Sequence, residues 1–212
     1  LTSTIEPGDC QHGYTVTPPP TNFTATLRVM AEDLSASEQT DFDFNDIVFD
    51  IQYGSPAKIR VMAAGGTLPL RIKVKDAASH SDDACTGKDG NGWQEIHALW
   101  GKSTGIMINT NATTIINQKM GYETSTLLDP IELDYNVTNA ADANNITIEV
   151  KKTVDGVAGW YPMEAAVGAP AAKFACSPNL RWAEEREDLK GHSNFKDWVQ
   201  GAIETWNWHN FQ

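Results

Sequence analysis

Seven carboxylates fall within nineteen residues near the start of the chain, from Glu32 to Asp50. The nearest basic side chain is that of Arg28. Carboxylates that converge at this density repel one another unless a cation offsets their charge, and calcium takes about six to eight oxygen ligands from such groups. The cluster therefore predicts a calcium site. Its members are Glu32, Asp33, Glu38, Asp41, Asp43, Asp46 and Asp50.

The centre of this cluster is a hairpin segment, Asp41–Asp46, with the sequence D-F-D-F-N-D. In extended backbone, side chains alternate with a period of two, so Asp41, Asp43 and Asn45 would share one face. The two intervening phenylalanines would point to the other face and anchor the hairpin in the core. This spacing predicts three oxygen-bearing ligands in one row.

The same residues allow a second interpretation, in which Asp and Asn side chains cap the backbone of their own turn. The start of the segment also resembles an EF-hand loop, but position six is Asp46 rather than Gly and position twelve is Gln52 rather than Glu. These departures exclude an EF-hand. For a metal site, oxygen ligands without a nearby His or Cys favour calcium over zinc or copper. Magnesium is disfavoured because it rarely uses an all-protein cage.

Outside the cluster, the sequence shows no established catalytic motif. Glu95 and His97 share a face of a predicted strand, where they could pair or join a metal site. The chain has no Gly-x-Ser-x-Gly elbow, no HExxH motif and no reactive Cys with a nearby His, so we expect no enzyme. The carboxylate pair of a glycoside hydrolase is set by distance in the fold, and the sequence leaves that class open.

The composition excludes several classes of partner. The chain has 212 residues, with 28 acidic and 16 basic side chains and a formal charge of −12. This charge repels phosphate backbones, so we expect no nucleic-acid partner. No apolar run reaches the roughly 18 residues of a transmembrane helix. The chain begins with Leu1 rather than Met, which favours a processed or truncated product from which a leader has been removed.

Three cysteines, Cys10, Cys85 and Cys176, lie far apart and have no CxxC spacing. That spacing argues against a zinc ribbon or a redox motif. Two possibilities stay open, namely one disulfide with one free thiol, and three ordinary buried thiols.

The segments on both sides of the acidic hairpin have the period-two pattern of strands with one buried face. Apolar residues alternate from Phe23 to Val29 before it and from Ile47 to Tyr53 after it, with Asp50 on the opposite face of the second strand. Further strands are predicted at Lys58–Ala64, Leu68–Val74, Glu95–Trp100, Ile131–Val137 and Ile146–Lys152.

Strands that recur without long helical patterns predict an all-β fold, a two-sheet antiparallel β-sandwich of jelly-roll type. An open Greek-key barrel is the alternative. Residues 1–20, which end in a proline triplet, are expected to form an extended lead-in. Residues 21–212 are expected to form one domain, with short helices from about residue 180 that pack on the sandwich.

Several segments, taken together, resemble the LruC-type domain of bacterial surface proteins and lipoproteins. The first is Arg28–Leu34, R-V-M-A-E-D-L, and the second is Asp41–Asp50, D-F-D-F-N-D-I-V-F-D. The hallmark of that family is an E-D-L segment followed by D-x-D-F-N-D and a hydrophobic residue. The resemblance continues in the same order through roughly residues 24–200, at Ala63–Leu70, Glu95–Gly101, Met107–Thr110 and the closing stretch from Trp182 to Trp198.

This resemblance implies an exported protein of Gram-negative bacteria of the Bacteroidetes gut type, at the cell surface or outer membrane or outside the cell. A lipid anchor upstream of Leu1 is compatible with it. The family has no characterised activity, so the resemblance implies no enzymology. It does imply a calcium site at the D-F-N-D motif, whose ligands would be Asp41, Asp43, Asn45 and Asp46, with Glu32 and Asp33 as further ones.

Three functions follow from these features. The first is a calcium-stabilised β-sandwich at the cell surface that acts as a structural or adhesive module, with a host or matrix glycan or protein as its partner. The second is a carbohydrate-binding module, because the chain has seven tryptophans, whose flat faces can stack on sugar rings. Trp93, Trp100 and Trp160 are the candidates for that role. The third is a glycoside hydrolase.

Overall fold

The computed structural model describes residues 22–35, 40–54, 57–74, 95–110, 127–135, 146–164, 169–180, 182 and 195–200. Within these ranges the chain is mostly β-strand, arranged in two sheets. The prediction of an all-β, two-sheet sandwich is confirmed. The predicted lead-in, residues 1–20, lies outside the described residues.

Among the described residues, the larger sheet has seven strands. They are β1 (Leu27–Ala31), β2 (Ile47–Gln52), β3 (Ala57–Ala64), β5 (Ile108–Thr110), β6 (Leu127–Leu128), β7 (Ile131–Tyr135) and β10 (Lys173–Cys176). The central order of this sheet is β10-β1-β2-β3, and neighbours in this order are antiparallel. The far edge of β3 pairs with two strands in succession, β7 and then β5, and β6 adds to β5 in parallel.

In the described part of the chain, the smaller sheet has three antiparallel strands, β4 (Leu70–Val74), β8 (Ile146–Val154) and β9 (Val157–Pro162). Their order in the sheet is β4-β8-β9. A two-residue turn, Asp155-Gly156, joins β8 to β9, and both of its residues have positive φ, +50° and +79°. An Asp-Gly pair is the sequence that such a tight hairpin favours.

The inner core lies between the two sheets. Alternate residues of β2, namely Ile47, Phe49 and Ile51, are buried there against Leu70 and Ile148 of the smaller sheet. This is the face that the period-two pattern of β2 predicts. Burying branched and aromatic side chains of this size contributes about 1.5–3 kcal/mol each, so this layer dominates the stability of the sandwich.

A second, outer core covers the opposite face of the larger sheet. Met30, Val48 and Met62 belong to it, together with Trp182 and residues of α1 (Phe195–Val199). The larger sheet is therefore buried on both faces over much of its area. The register of β2 against β3 shifts at a β-bulge between Val48 and Phe49. This bulge places two successive residues of β3, Met62 and Ala63, in the outer core.

The prediction of a strand at Glu95–Trp100 is wrong, because Ile96–Trp100 form a 3₁₀ helix. Local capping explains the difference. The Glu95 side chain accepts a hydrogen bond from the N–H of His97, and Gly101 ends the turn in the left-handed conformation, with φ of +66°. Capping at both ends of a short segment outweighs its apolar alternation.

At the carboxyl end, α1 is one of the short helices predicted from about residue 180, and residues 183–194 lie outside the described residues. In the described part of the chain, no helix has the length and apolar character needed to cross a bilayer. Cys176 is buried and unpaired, and Cys10 and Cys85 lie outside the described residues.

Candidate metal centre

The acidic loop, residues 32–46, connects β1 to β2, which pair directly with each other. Residues 36–39 of this loop, including Glu38, lie outside the described residues. Phe42 and Phe44 are buried in the outer core, where the Phe44 ring packs edge-on against Phe174 and Phe195 at 5.0 and 5.4 Å. The two aromatic anchors predicted from the sequence are therefore present, and they fix the loop to the sheet.

The backbone of the loop is not extended, as the spacing argument assumes. Phe42 and Phe44 have φ of +62° and +55°, in the left-handed region that L-residues other than Asn, Asp and Gly rarely adopt. Such a conformation costs on the order of 1 kcal/mol or more per residue. Burial of both rings offsets that cost, and the two left-handed residues bend the loop, which therefore departs from extended backbone.

Three carboxylates of the loop converge. One oxygen each from Glu32, Asp41 and Asp43 can be chosen so that all three lie within 4.8 Å of one another. Ligands at about 2.3–2.6 Å from a common calcium ion are at most about 5 Å apart, so these oxygens fit around one ion. Glu32 and Asp43 are buried and Asp41 is exposed, so the group has a protein side and a solvent side.

Glu32 is nearly inaccessible to solvent, at 2% exposure. Its two carboxylate oxygens accept hydrogen bonds from the Thr40 hydroxyl and from the N–H of Phe44. Burial raises the pKa of Glu32 to about 7, against the lowering effect of these hydrogen bonds and with the help of the Asp41 and Asp33 charges. Without a cation, the site therefore holds a proton near neutral pH.

Asp46 lies beside this group and is held by a main-chain donor. Its carboxylate accepts the N–H of Asp33 at 2.7 Å. Burial, followed by the charges of Glu32, Asp33 and Asp43, raises the pKa of Asp46 well above its ordinary value. Among the described residues, no Lys, Arg or His makes an ion pair with Glu32, Asp33 or Asp46.

The glycine turn, residues 65–68 between β3 and β4, forms hydrogen bonds with the acidic loop. Asp33 accepts the N–H of Leu68 at 2.6 Å, and the N–H of Gly65 donates to the Asp46 carbonyl at 2.9 Å. A Cβ on Gly66, which has φ of +75°, would lie 3.1 Å from an Asp33 oxygen. Close approach of the two loops therefore requires glycine at this position.

Asn45 completes the inner wall of the loop. It is fully buried, and its side-chain amide donates to an Asp43 oxygen at 2.9 Å. Its N–H reaches the other Asp43 oxygen at 3.3 Å. These are the turn-capping contacts of the second interpretation of the sequence, and they hold the Asp43 carboxylate beside Glu32.

The structure thus divides the six predicted ligands into two groups. Oxygens of Glu32, Asp41 and Asp43 converge. Asn45 donates to Asp43, whereas Asp33 and Asp46 are joined to each other through the Asp33 N–H. The contributions of Thr40 and of the glycine turn were not predicted for the site. The Gly65-Gly66 pair was the available signal, although a glycine pair by itself indicates only a turn.

Asp50, the last carboxylate of the sequence cluster, belongs to a different network. It lies on the outer face of β2 as predicted, but it is buried and accepts two hydrogen bonds from the Arg28 guanidinium, at 2.7 and 2.9 Å. The sequence cluster therefore contains one carboxylate that already has an internal cation.

Glu95 and His97, the other predicted pair, are in contact through Oε1 and Nδ1 at 2.6 Å. They are joined across the cap of the 3₁₀ helix rather than along a strand. His97 is fully buried, and no third metal-binding side chain joins the pair within the described residues.

Two of the three tryptophans considered for sugar binding are described, and both are partly exposed. The Trp100 indole N–H donates to the Asp129 carbonyl at 2.9 Å. The Trp160 ring lies on the outer face of the smaller sheet, where the Arg71 guanidinium stacks 4.5 Å from its centroid. Trp93 lies outside the described residues.

Comparison with known proteins found no matching family model, no similar curated protein and no similar solved structure. The LruC-type resemblance stays a prediction.

Proposed function

We propose that the acidic loop binds a calcium ion, and that the protein is an exported β-sandwich module of structural or adhesive type whose fold this ion stabilises. Glu32, Asp41 and Asp43 supply the first ligands. Water, reached through the exposed side of Asp41, and further oxygens of the loop complete the coordination.

The observation that carries this proposal is that several carboxylates are buried next to one another. Glu32, Asp33 and Asp46 are all under 10% exposed, and within the described residues the charges that act on Glu32 and Asp46 come from carboxylates. Burying an ionised carboxylate without a compensating charge is costly. A divalent cation removes this cost, and an all-oxygen ligand set is the one that calcium prefers.

A role in display rather than catalysis is the second part of the proposal. The ion would hold together the β1–β2 connection, which hydrogen bonds join to the glycine turn, and both lie at one end of the sandwich. A rigid end of this kind suits a module that presents loops to a host or matrix ligand. Export to the surface of a Gram-negative cell is supported by the LruC-type resemblance alone.

Calorimetric titration of the protein with calcium tests the site. We expect saturable binding with about one ion per chain, and a melting temperature that rises with calcium and falls with chelator, since a ligand of the folded state raises its stability. In the Glu32→Gln variant, calcium affinity should fall by about tenfold or more because the charge of the site is reduced.

The matched control is Glu132→Gln, which neutralises a carboxylate on β7 that is bonded to Lys58 and Arg60 instead. Calcium affinity should be unchanged in this variant. Wild-type protein that shows no heat of binding and melts identically in calcium and in chelator would rule out the proposal.

Carbohydrate binding is a second candidate, favoured by the position of Trp160. Its partly exposed ring, the stacked Arg71 and the neighbouring Lys151 lie on one face of the smaller sheet, and a flat ring beside polar groups suits a sugar. A glycan array combined with quenching of tryptophan fluorescence tests this idea. Binding that is lost in Trp160→Ala but kept in Trp100→Phe supports it, and an array without signal removes it.

A further inference from the structure

Strand β9 forms an edge of the smaller sheet within the described residues. Strand β4 pairs with β8 only as far as Val150, whereas β9 pairs with β8 up to the hairpin turn at Asp155-Gly156. The end of the hairpin, residues 151–161, is therefore a ribbon that continues past β4. A two-stranded ribbon is marginally stable in water, and pairing with a further strand stabilises it.

The hydrogen bonds of the hairpin show which backbone groups of β9 face outward. The N–H of Met163 donates to the Ile148 carbonyl at 2.8 Å, and bonded pairs alternate along an antiparallel ladder. Residues 157, 159 and 161 therefore direct their backbone groups toward β8, and residues 158, 160 and 162 direct theirs away from it. In the part of the chain that the structure describes, the N–H and C=O groups of Ala158 and Trp160 make no hydrogen bond.

The side chains of β9 lack the features that usually protect a sheet edge. Natural edges are blocked by charged residues, by proline or by bulges. Residues 157–161 have the sequence V-A-G-W-Y without a charge, and no bulge interrupts their pairing with β8. The first proline is Pro162, at the end of the strand. Val157 is 62% exposed, so this edge is uncharged and presents an apolar side chain to solvent.

We propose that β9 pairs antiparallel with β9 of a second copy of the chain, across a two-fold axis at Gly159, and joins the two smaller sheets into one. In this register Ala158 of each copy faces Trp160 of the other, so their outward N–H and C=O groups bond to each other. A register centred on Ala158 or on Trp160 satisfies fewer of these groups, because Gly156 lies in the turn and Pro162 has no N–H.

The same register also matches the side chains on the other face of β9. It places the exposed Val157 of one copy opposite Tyr161 of the second copy, and aromatic and β-branched residues are favourable cross-strand partners. At the axis, Gly159 faces Gly159. The Tyr161 ring already covers this glycine, with a ring carbon 3.5 Å from the place of a Cβ. Glycine inside a strand is typical of a position that another backbone approaches closely.

The charge of the ribbon favours a second copy of this chain as its partner. The whole chain has a formal charge of −12, which opposes association of two copies over most of their surface. The ribbon has two lysines, Lys151 and Lys152, and one carboxylate, Asp155. Its charge is therefore slightly positive, and the negative field of one acidic chain attracts the ribbon of the other.

Sedimentation velocity over a range of protein concentrations tests this proposal. We expect a reversible equilibrium in which the fraction of dimer rises with concentration. In Ala158→Pro, the dissociation constant of the dimer should rise by about tenfold or more, because the proline removes an N–H that pairs on both sides of the axis. That N–H makes no bond to β8, so the hairpin should persist, and circular dichroism checks this.

A pair of lysine variants locates the interface. Val157→Lys puts a charge on the edge strand and should weaken the dimer by about tenfold. The matched control is Val154→Lys, which adds the same charge at the exposed residue opposite Val157, but on β8 rather than on the edge. Its dimer should be as stable as that of the wild type. A wild type that stays monomeric at every concentration, or a dimer that both Ala158→Pro and Val157→Lys leave unchanged, would overturn the proposal.

Disulfide cross-linking keeps the test open if these variants fail to fold. Gly159→Cys, in a chain with Cys10→Ser and Cys85→Ser, places the new thiols of the two copies on opposite sides of the axis. The Cα atoms of such a non-bonded pair are about 4.5 Å apart, within the range of a disulfide. Oxidation should give a covalent dimer, and Val154→Cys in the same background should not. Equal cross-linking of the two variants would contradict the register.

The dimer proposal and the cation proposal fail separately. No residue of the acidic loop belongs to the ribbon, so we expect the same dimer in calcium and in chelator. Absence of the dimer would leave calcium binding unaffected, and absence of calcium binding would leave the pairing of β9 unaffected.

Discussion

Two regions on the outer side of the larger sheet bury carboxylates, and they neutralise them in different ways. Asp50 of β2 is paired with Arg28 of β1, and both side chains are nearly inaccessible to solvent. In the acidic loop, a few residues away on the same pair of strands, Glu32 and Asp46 are surrounded by other carboxylates. The first region contains its own cation, and the second has the geometry to take one from solution.

In the Arg28 region, all three guanidinium nitrogens donate hydrogen bonds. Two nitrogens bind Asp50, a third donates to the Leu180 carbonyl at 2.6 Å, and the Trp182 ring lies 5.0 Å from the guanidinium carbon. Across the sheet, the row continues with Arg60 opposite Asp50 and Glu132 opposite Arg60. Charges of alternating sign on neighbouring strands attract each other, so this row stabilises the register.

The largest predicted effect is that of removing the cation from the Arg28 region. In Arg28→Met, Asp50 keeps its burial but loses its cation, and we expect a loss of about 3–5 kcal/mol of unfolding free energy, as for other buried pairs from which one partner is removed. Urea denaturation measures it. The double variant Arg28→Met/Asp50→Leu should recover most of the loss. A single variant as stable as the wild type would show that Asp50 needs no internal cation.

An intermediate effect on the free energy of unfolding is predicted for the acidic loop in the presence of chelator. Because the pKa of Glu32 is raised from 4.5 to about 7, the folded state holds a proton that the unfolded state releases. This contribution to stability is complete below about pH 4.5 and is lost as the pH rises through about 7, with a slope of up to about 1.4 kcal/mol per pH unit. Unfolding followed by circular dichroism measures this slope.

Excess calcium should remove the Glu32 part of this decline, because the ion replaces the proton as the partner of the carboxylate. The Glu32→Gln variant should lose the same part of the slope even in chelator. If calcium leaves the slope of the wild type unchanged, the two regions do not differ in the way described.

The smallest predicted effect concerns the support of the acidic loop. Gly66→Ala adds a Cβ at positive φ and at 3.1 Å from an Asp33 oxygen, whereas Gly101→Ala adds one at positive φ with no atom within 4 Å. Both variants should lose on the order of 1 kcal/mol from backbone strain. A larger loss in Gly66→Ala, measured by urea denaturation, reports the contact with Asp33, and equal losses would show that this contact contributes nothing.

The alternation of apolar residues in the sequence predicts the inner core, between the two sheets, well. Alternation in β2 identifies Ile47, Phe49 and Ile51 as inner-core residues, and the neighbouring strands follow from the same pattern. The outer core is not predictable in this way. Arg28 and Asp50 occupy the polar face of their strands, and they are buried only because Leu180 and Trp182, about 150 residues further along the chain, cover them.

The acidic site is predicted in its composition but not in its geometry. Counting carboxylates identifies Glu32, Asp41 and Asp43, which do converge. The extended backbone assumed for the loop fails because Phe42 and Phe44 adopt positive φ, which residue type alone argues against. Aromatic burial in the outer core determines that conformation, and the outer core depends on the distant carboxyl-terminal segment.

The most direct test of the account is a crystal structure of the protein grown with calcium and refined with anomalous data. We expect one ion between Glu32, Asp41 and Asp43, with metal–oxygen distances of about 2.3–2.6 Å, and an Arg28–Asp50 pair unchanged by the ion. A structure without a cation at this point, in which the Glu32 carboxyl is held by Thr40 and Phe44 alone at saturating calcium, would contradict the central claim.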